Sequence, residues 1–353
     1  MTQKEFIEIL KEKEIKYKIN GDSVVITRDQ GFVYLNSLTS LPENTKFTNN
    51  GSVYLSGLTS LPESTKFNNS GAVTLNSLTS LSENTKFTNN GSVYLSGLTS
   101  LPENTKFNNK GFVNLNSLTS LSESTKFNNK GYVNLNSLTS LPENTKFTNN
   151  GGVYLSGLTS LPENTKFNNK GFVNLNSLTS LSENTQFNNS GAVNLHSLNN
   201  KNIKYQNKEY LIKVVDGYTM LILNKKTVGE NTIYKSKFFK GGEVSNLETV
   251  YIAERYKYTS HGKTIKEAVE GVNFKYLQET FDLKKLVSKI KTSKKISIKD
   301  YRLLTGACQL GCEEFVKSKN IKGKFISLEK ALKITKGKYG HDNFAQLFSK
   351  YKN

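Results

Sequence analysis

The sequence contains no tryptophan, two methionines, two cysteines and five prolines in 353 residues. Two cysteines, Cys308 and Cys312, cannot build a disulfide framework, and a reducing, intracellular compartment is the default expectation. No apolar run approaches the roughly 20 residues needed to cross a bilayer, so no membrane association is expected. The opening "MTQKEFIEILKEKEIKYKIN" mixes both charges and does not read as a secretory leader. Arginine is scarce: Arg28, Arg255 and Arg302 are all there is. The net charge of +19 is therefore carried by lysine. Lysine is a point charge without the planar fork that reads guanine, so any nucleic acid would be held through its phosphates.

Motifs for chemistry are equally thin. Gly262-Lys263-Thr264 matches the end of a phosphate-binding loop, but the glycine such a loop needs at 257 is Lys257. Thr264 and Glu267 fit a helix capping box instead. Cys308 and Cys312, four apart, suit one face of a helix. Zinc would need two further ligands, and no spacing nominates His261 or His341. No catalytic set, metal site or cofactor is read, and the protein is expected not to be an enzyme.

What the sequence has is repetition. "GSVYLSGLTSLPENTKFNNK" at 91–110 returns at 151–170 with one change, Ser92 to Gly152. Nine copies of a 20-residue unit open at Gly31, Gly51, Gly71, Gly91, Gly111, Gly131, Gly151, Gly171 and Gly191, the last degenerate. Counting from each glycine, position 3 is always Val, positions 5 and 8 are always Leu, and position 17 is Phe in the first eight copies. Val-x-Leu is strand alternation. The asparagine–glycine junctions between copies predict turns with positive φ. All five prolines occupy position 12, just past the last core Leu. One copy cannot bury its own apolar row, but stacked copies can.

The expected fold is a β-solenoid of 20-residue coils with a parallel sheet. The phrase "LTSLPEN" resembles a leucine-rich repeat. Residues 1–30, an amphipathic helix plus an imperfect coil, should cap it. Residues 31–200 form the solenoid. Residues 201–353 should form an α+β domain, with a hairpin turning at Asp216-Gly217 and then four or five helices. This last part holds 32 basic and 15 acidic residues, whereas 31–200 holds 10 and 8.

Two surfaces are candidates for function. Positions 2, 4 and 6 of each coil point outward. Position 4 with the last position 6 nominates a protein-binding face: Tyr34, Tyr54, Tyr94, Asn114, Asn134, Tyr154, Asn174 and His196. Aromatic and amide side chains on a flat ribbon suit protein contact. The basic part nominates a polyanion site at Lys263, Lys284, Lys285, Lys289, Lys291, Lys294, Lys295, Lys299 and Arg302.

The segments "HGKTIKEAVEGVNFKY", "YRLLTGACQLGCEEF" and "KYGHDNFAQLF", behind "LTSLP" repeats, resemble uncharacterised repeat proteins of phages and prophages. That resemblance implies a viral origin, the cytoplasm of a bacterial host cell, and no particular mechanism. The expected function is sequestration of a host protein or ribonucleoprotein, as in anti-defence. The alternatives are charge-driven binding of RNA or DNA, with the solenoid as spacer or oligomerisation rod, and an enzyme in the C-terminal part.

Overall fold

The computed structural model describes residues 1–349 apart from Asn84 and Cys308. Two compact units emerge. The first comprises Met1–Ile252 with His261–Ile265, and the second Ala253–Ser260 with Lys266 onward.

The first unit is built on the solenoid. Each copy contributes a two-residue strand at positions 3 and 4, and nine of them, from Val33–Tyr34 to Val193–Asn194, stack in parallel and in register. A second strand at positions 16 and 17 recurs eight times, from Lys46–Phe47 to Gln186–Phe187. Between Phe127 and Phe147 this second ladder is interrupted, and the Thr148 hydroxyl donates to the Phe127 carbonyl at 3.0 Å. The Val and Leu of positions 3, 5 and 8 and the Phe of position 17 are buried in every coil that has them. The eight phenylalanines form one stack through the core, with centroids 5.2 to 6.1 Å apart. Each coil thus buries its neighbour's apolar row, which supplies the main driving force for folding.

The glycines that open the coils are not turn residues with positive φ, as the asparagine–glycine junctions predict. None of them has positive φ. They are glycine because coils approach so closely there. A Cβ on Gly111 would lie 2.5 Å from the backbone of Gly91. The asparagine at position 19 supports this contact. Asn109 is fully buried, and its Nδ2 donates to the carbonyls of Gly91 and Gly111 at 3.1 and 3.2 Å. The bond to the preceding coil recurs from Asn49 to Asn189, and the second bond goes to the next glycine carbonyl except at Asn89, which donates to the Ser92 carbonyl instead.

Proline has its own effect. In the coils reading Pro-Glu-Asn-Thr, the asparagine is left-handed, as at Asn44 and Asn104. The threonine hydroxyl closes back onto the position-12 carbonyl, at 2.8 Å for Thr105 and Pro102, a bond that Thr85 also makes to Ser82 in a serine coil at 2.6 Å. In proline coils the Leu at position 11 is buried, as Leu101 is. In serine coils Leu81, Leu121 and Leu181 are only partly buried. Proline's fixed φ suits the tighter bend.

Both ends are closed by other structure. Helix α1 (Gln3–Glu12) starts at a Thr2–Glu5 capping box and buries Phe6 and Leu10. A hairpin, Tyr17–Asn20 and Ser23–Ile26, sets its second strand beside Lys46–Phe47 in parallel. At the far end, the Val193 amide donates to the Phe239 carbonyl at 2.8 Å, and Phe187 packs edge-on against Phe239.

After the solenoid the chain forms a six-stranded sheet in chain order: Asn202–Tyr205, Lys208–Val215, Tyr218–Val228, Asn231–Phe238, Thr249–Arg255 and Tyr258–Gly262. Asp216 and Gly217 both have positive φ, as a two-residue hairpin turn requires. Six helices follow among the described residues: α2 (Ile265–Thr280), α3 (Leu283–Ser293), α4 (Ile298–Thr305), α5 (Gln309–Ser318), α6 (Leu328–Ile334) and α7 (His341–Phe348). The segment from Ile298 to Ser318 is two helices, because Gly306 takes a left-handed C-cap. The expected helix face shared by Cys308 and Cys312 falls partly outside the described residues; Cys312 is buried. The core of the second unit is Ile290, Ile296, Leu328, Ala331, Phe344 and Phe348. Among the described residues, no helix is long and apolar enough to cross a membrane.

Candidate binding face of the solenoid

The nine-stranded ladder leaves one face uncovered, and aromatic rings run along it. Tyr34 stacks on Tyr54 at 4.9 Å, with ring planes 8° apart. A second run starts at Tyr94. Its ring meets Phe112 at 4.8 Å, edge to face. Phe112 stacks on Tyr132 at 4.8 Å. Tyr132 meets Tyr154 at 5.5 Å, and Tyr154 meets Phe172 at 4.7 Å. Five rings therefore touch in succession across five coils. Such pairs favour one another beyond the area they bury.

This ridge does not stay in one column. Tyr94 and Tyr154 sit at position 4, whereas Phe112, Tyr132 and Phe172 sit at position 2. Where position 4 is tyrosine in coils 2, 4 and 7, position 2 is Ser52, Ser92 or Gly152. Where position 4 is asparagine in coils 5, 6 and 8, position 2 is aromatic. These six coils exchange the ring between two outward positions and keep one large ring each, whereas coil 1 carries both Phe32 and Tyr34 and coil 9 carries none. Ala72 and Thr74 interrupt the path in coil 3.

The nominated residues take two different roles. Tyr34, Tyr54, Tyr94 and Tyr154 join the aromatic runs. Asn114 instead donates from Nδ2 to the Ser96 hydroxyl at 3.2 Å. Asn134 and Asn174 accept from the amides of Asn136 and Asn176, each at 3.3 Å. Those amides organise the sheet surface. His196 lies in a short 3-10 turn with Nε2 3.1 Å from the Gly217 carbonyl. Phe32, Phe112, Tyr132 and Phe172 belong to the aromatic runs but sit at position 2, outside the column that position 4 defines.

The electrostatics of the face are simple. Positions 2, 4 and 6 carry no acidic or lysine side chain in any coil, and His196 is their one titratable group besides the tyrosines. The three coils with an aromatic position 2 beside Asn at position 4 are each preceded by a lysine: Lys110, Lys130 and Lys170, all exposed. The glutamates occupy position 13, on the return segment. Burial pushes the Tyr94 phenol above its usual range, and the neighbouring phenols of Tyr132 and Tyr54 add to the effect. The face can thus offer apolar ring surface, hydroxyls and flanking positive charge.

The cationic residues are spread over both units. Lys263, in the first, lies 4.0 Å from Glu248. In the second, Lys284, Lys285 and Lys289 on α3 are exposed, as are Lys294, Lys295 and Lys299, and Lys291 is half-buried. Arg302 is engaged within its own unit. Its guanidinium sits 3.8 Å from the centre of the Phe274 ring, and its Nε donates to the Ala307 carbonyl at 3.3 Å.

For reaction chemistry the structure offers less. His261 Nδ1 and Asp216 Oδ2 are 2.6 Å apart beside the rings of Tyr218 and Phe238. No group of three or more His, Cys, Asp or Glu able to hold a metal occurs among the described residues.

These features define a β-solenoid repeat protein with 20-residue coils. Comparison with protein-family models, curated proteins and solved structures finds no match.

Proposed function

We propose that this is a non-enzymatic binding protein whose aromatic ridge docks a protein partner. The observation that carries this reading is the ring path from Tyr94 through Phe112, Tyr132 and Tyr154 to Phe172, kept continuous by exchange between positions 2 and 4. A solenoid needs only its inward positions to fold, so a regular outward array is free to serve recognition. The rings are partly exposed, Tyr132 most of all, and aromatic residues are enriched at interface centres. With the flanking lysines, the face fits a partner that is apolar at the centre of contact and acidic at its rim. The resemblance to phage and prophage proteins makes the partner a host protein or ribonucleoprotein, engaged in the bacterial cytoplasm to block a defence function. Replacing Phe112, Tyr132 and Tyr154 together by serine should abolish partner capture and leave folding intact.

The exposed lysines of α3 and the segment after it favour a second reading, binding of RNA or DNA through phosphates. Its mark would be retention that falls steeply between about 50 and 200 mM salt and is indifferent to base sequence. Replacing Lys291, Lys294 and Lys295 by glutamate should then weaken binding alike on unrelated sequences.

A further inference from the structure

The second unit contains a cavity of about 480 Å³ that its core does not fill. It lies among the Lys295–Ile296 strand, α4, α5, α6 and the loops that follow α5 and α6. Its walls are apolar: Ile296, Phe315, Val316, Ile321 and Ile334 contribute, with Cys312 buried among them. Interiors are normally packed with few voids larger than a water molecule. This volume falls within the range of about 300–1,000 Å³ typical of small-molecule sites. Phe325 and Tyr339 stand at the wall with 53% and 76% of their surface exposed, so the cavity is open to solvent.

The polar groups of the lining fall into two sets. The neutral hydroxyls are already used within the fold. The Tyr301 hydroxyl donates to the Tyr339 carbonyl at 2.9 Å. Ser297 Oγ donates to Asp300 at 2.7 Å, and Thr335 Oγ1 donates to the Ala331 carbonyl at 2.8 Å. The remaining polar side chains are two exposed lysines, Lys324 and Lys338, and among the described residues no carboxylate lines the cavity. Neither lysine forms an ion pair among the described residues. The medium is of low polarity, since burial raises the Tyr301 phenol above its usual range.

From this division we infer that the cavity is a binding site for a small aliphatic carboxylate, its chain among the apolar walls and its carboxylate at Lys324 and Lys338. A neutral lipid would leave both cations without a partner. A cationic amphiphile would meet like charge at the mouth. The site is independent of the solenoid face and requires no step of chemistry.

Titration calorimetry on the full chain, with ligands kept below their micelle concentrations, tests the inference. Decanoate should bind at one site per chain, decan-1-ol more weakly, and decyltrimethylammonium least. Exposed ion pairs are worth little individually, so removing each lysine should cost about two- to fivefold in decanoate affinity. The double variant Lys324→Glu/Lys338→Glu should lose the preference for decanoate over decanol. Val316→Phe, which fills the cavity, should weaken decanoate and decanol together while circular dichroism stays unchanged. Absence of decanoate binding by the folded protein would overturn the inference. So would equal binding of the three ligands, a preference that survives the double reversal, or unaltered binding in a folded Val316→Phe variant.

Discussion

Gly152 lies under the ring of Phe172: a Cβ built on Gly152 would come within 2.6 Å of the Phe172 Cε1 atom. Ser92 is the equivalent residue of residues 91–110, and it too is followed one coil later by a phenylalanine, Phe112, so the two copies differ in where that ring lies. In the earlier copy, Ser92 turns its hydroxyl to accept the Phe112 amide at 3.2 Å. In the later copy the ring occupies that space.

Gly152→Ser should displace the Phe172 ring and little else. The obstructed atoms belong to the ring of a half-buried side chain that can swing outward, so the stability cost should stay below about 1 kcal/mol. Gly151→Ala is the contrasting change. Its Cβ would meet the Gly131 backbone at 2.3 Å, where nothing can rotate away. That overpacking should cost about 1–3 kcal/mol or more. Denaturant melts of the two variants would compare them directly.

Inward and outward residues of one coil should differ in the same way. Leu95 is fully buried between equivalent leucines, and Leu95→Ala should cost about 2–5 kcal/mol. Tyr94→Ala, on the open face, should cost less than about 1 kcal/mol. Equal costs in chemical denaturation would mean that the faces are assigned wrongly.

Coil number should be adjustable. Contacts run between neighbouring coils in a constant register, so deletion of residues 91–110 joins core rows of the same Val, Leu and Phe pattern. The shortened protein should unfold in one cooperative transition at a slightly lower temperature, read by circular dichroism.

Much of this fold is legible in the sequence because a strict period converts spacing into register. The Val, Leu and Phe positions are core positions, and Asp216-Gly217 is a hairpin turn. Three features are not legible. The coil-opening glycines mimic turn residues, and only the close approach of stacked backbones gives their true reason. The buried role of the asparagine at position 19 of each coil depends on carbonyls in two coils. The aromatic ridge is hidden because it changes column: position 4 taken alone presents tyrosines interrupted by asparagines. Comparing positions 2 and 4 within each coil is the signal that finds Phe112, Tyr132 and Phe172. Gly306 was also a readable break between α4 and α5, masked by helical spacing on both sides.

Alkaline pH should loosen the far end of the solenoid. Tyr205 packs against Phe187 and Phe239, and burial raises its phenol above the usual 10.0. The folded state therefore holds the proton more tightly than the unfolded chain does. The associated stability is complete below pH 10 and is lost as pH rises through the raised value. Tyr205→Phe should flatten this alkaline loss in melts recorded from pH 9 to 11.5, a range of about two and a half pH units around the phenol titration.

The central claim is that the aromatic ridge is the docking face. Its most direct measurement is affinity capture from bacterial lysate treated with nuclease, comparing three folded forms. These are the native chain, Phe112→Ser/Tyr132→Ser/Tyr154→Ser, and Lys291→Glu/Lys294→Glu/Lys295→Glu. The account predicts one stoichiometric protein partner on the native chain and on the lysine variant, and its loss from the ridge variant. Retention of the same partner by the ridge variant, or loss of the partner from the native chain on nuclease treatment, would contradict it.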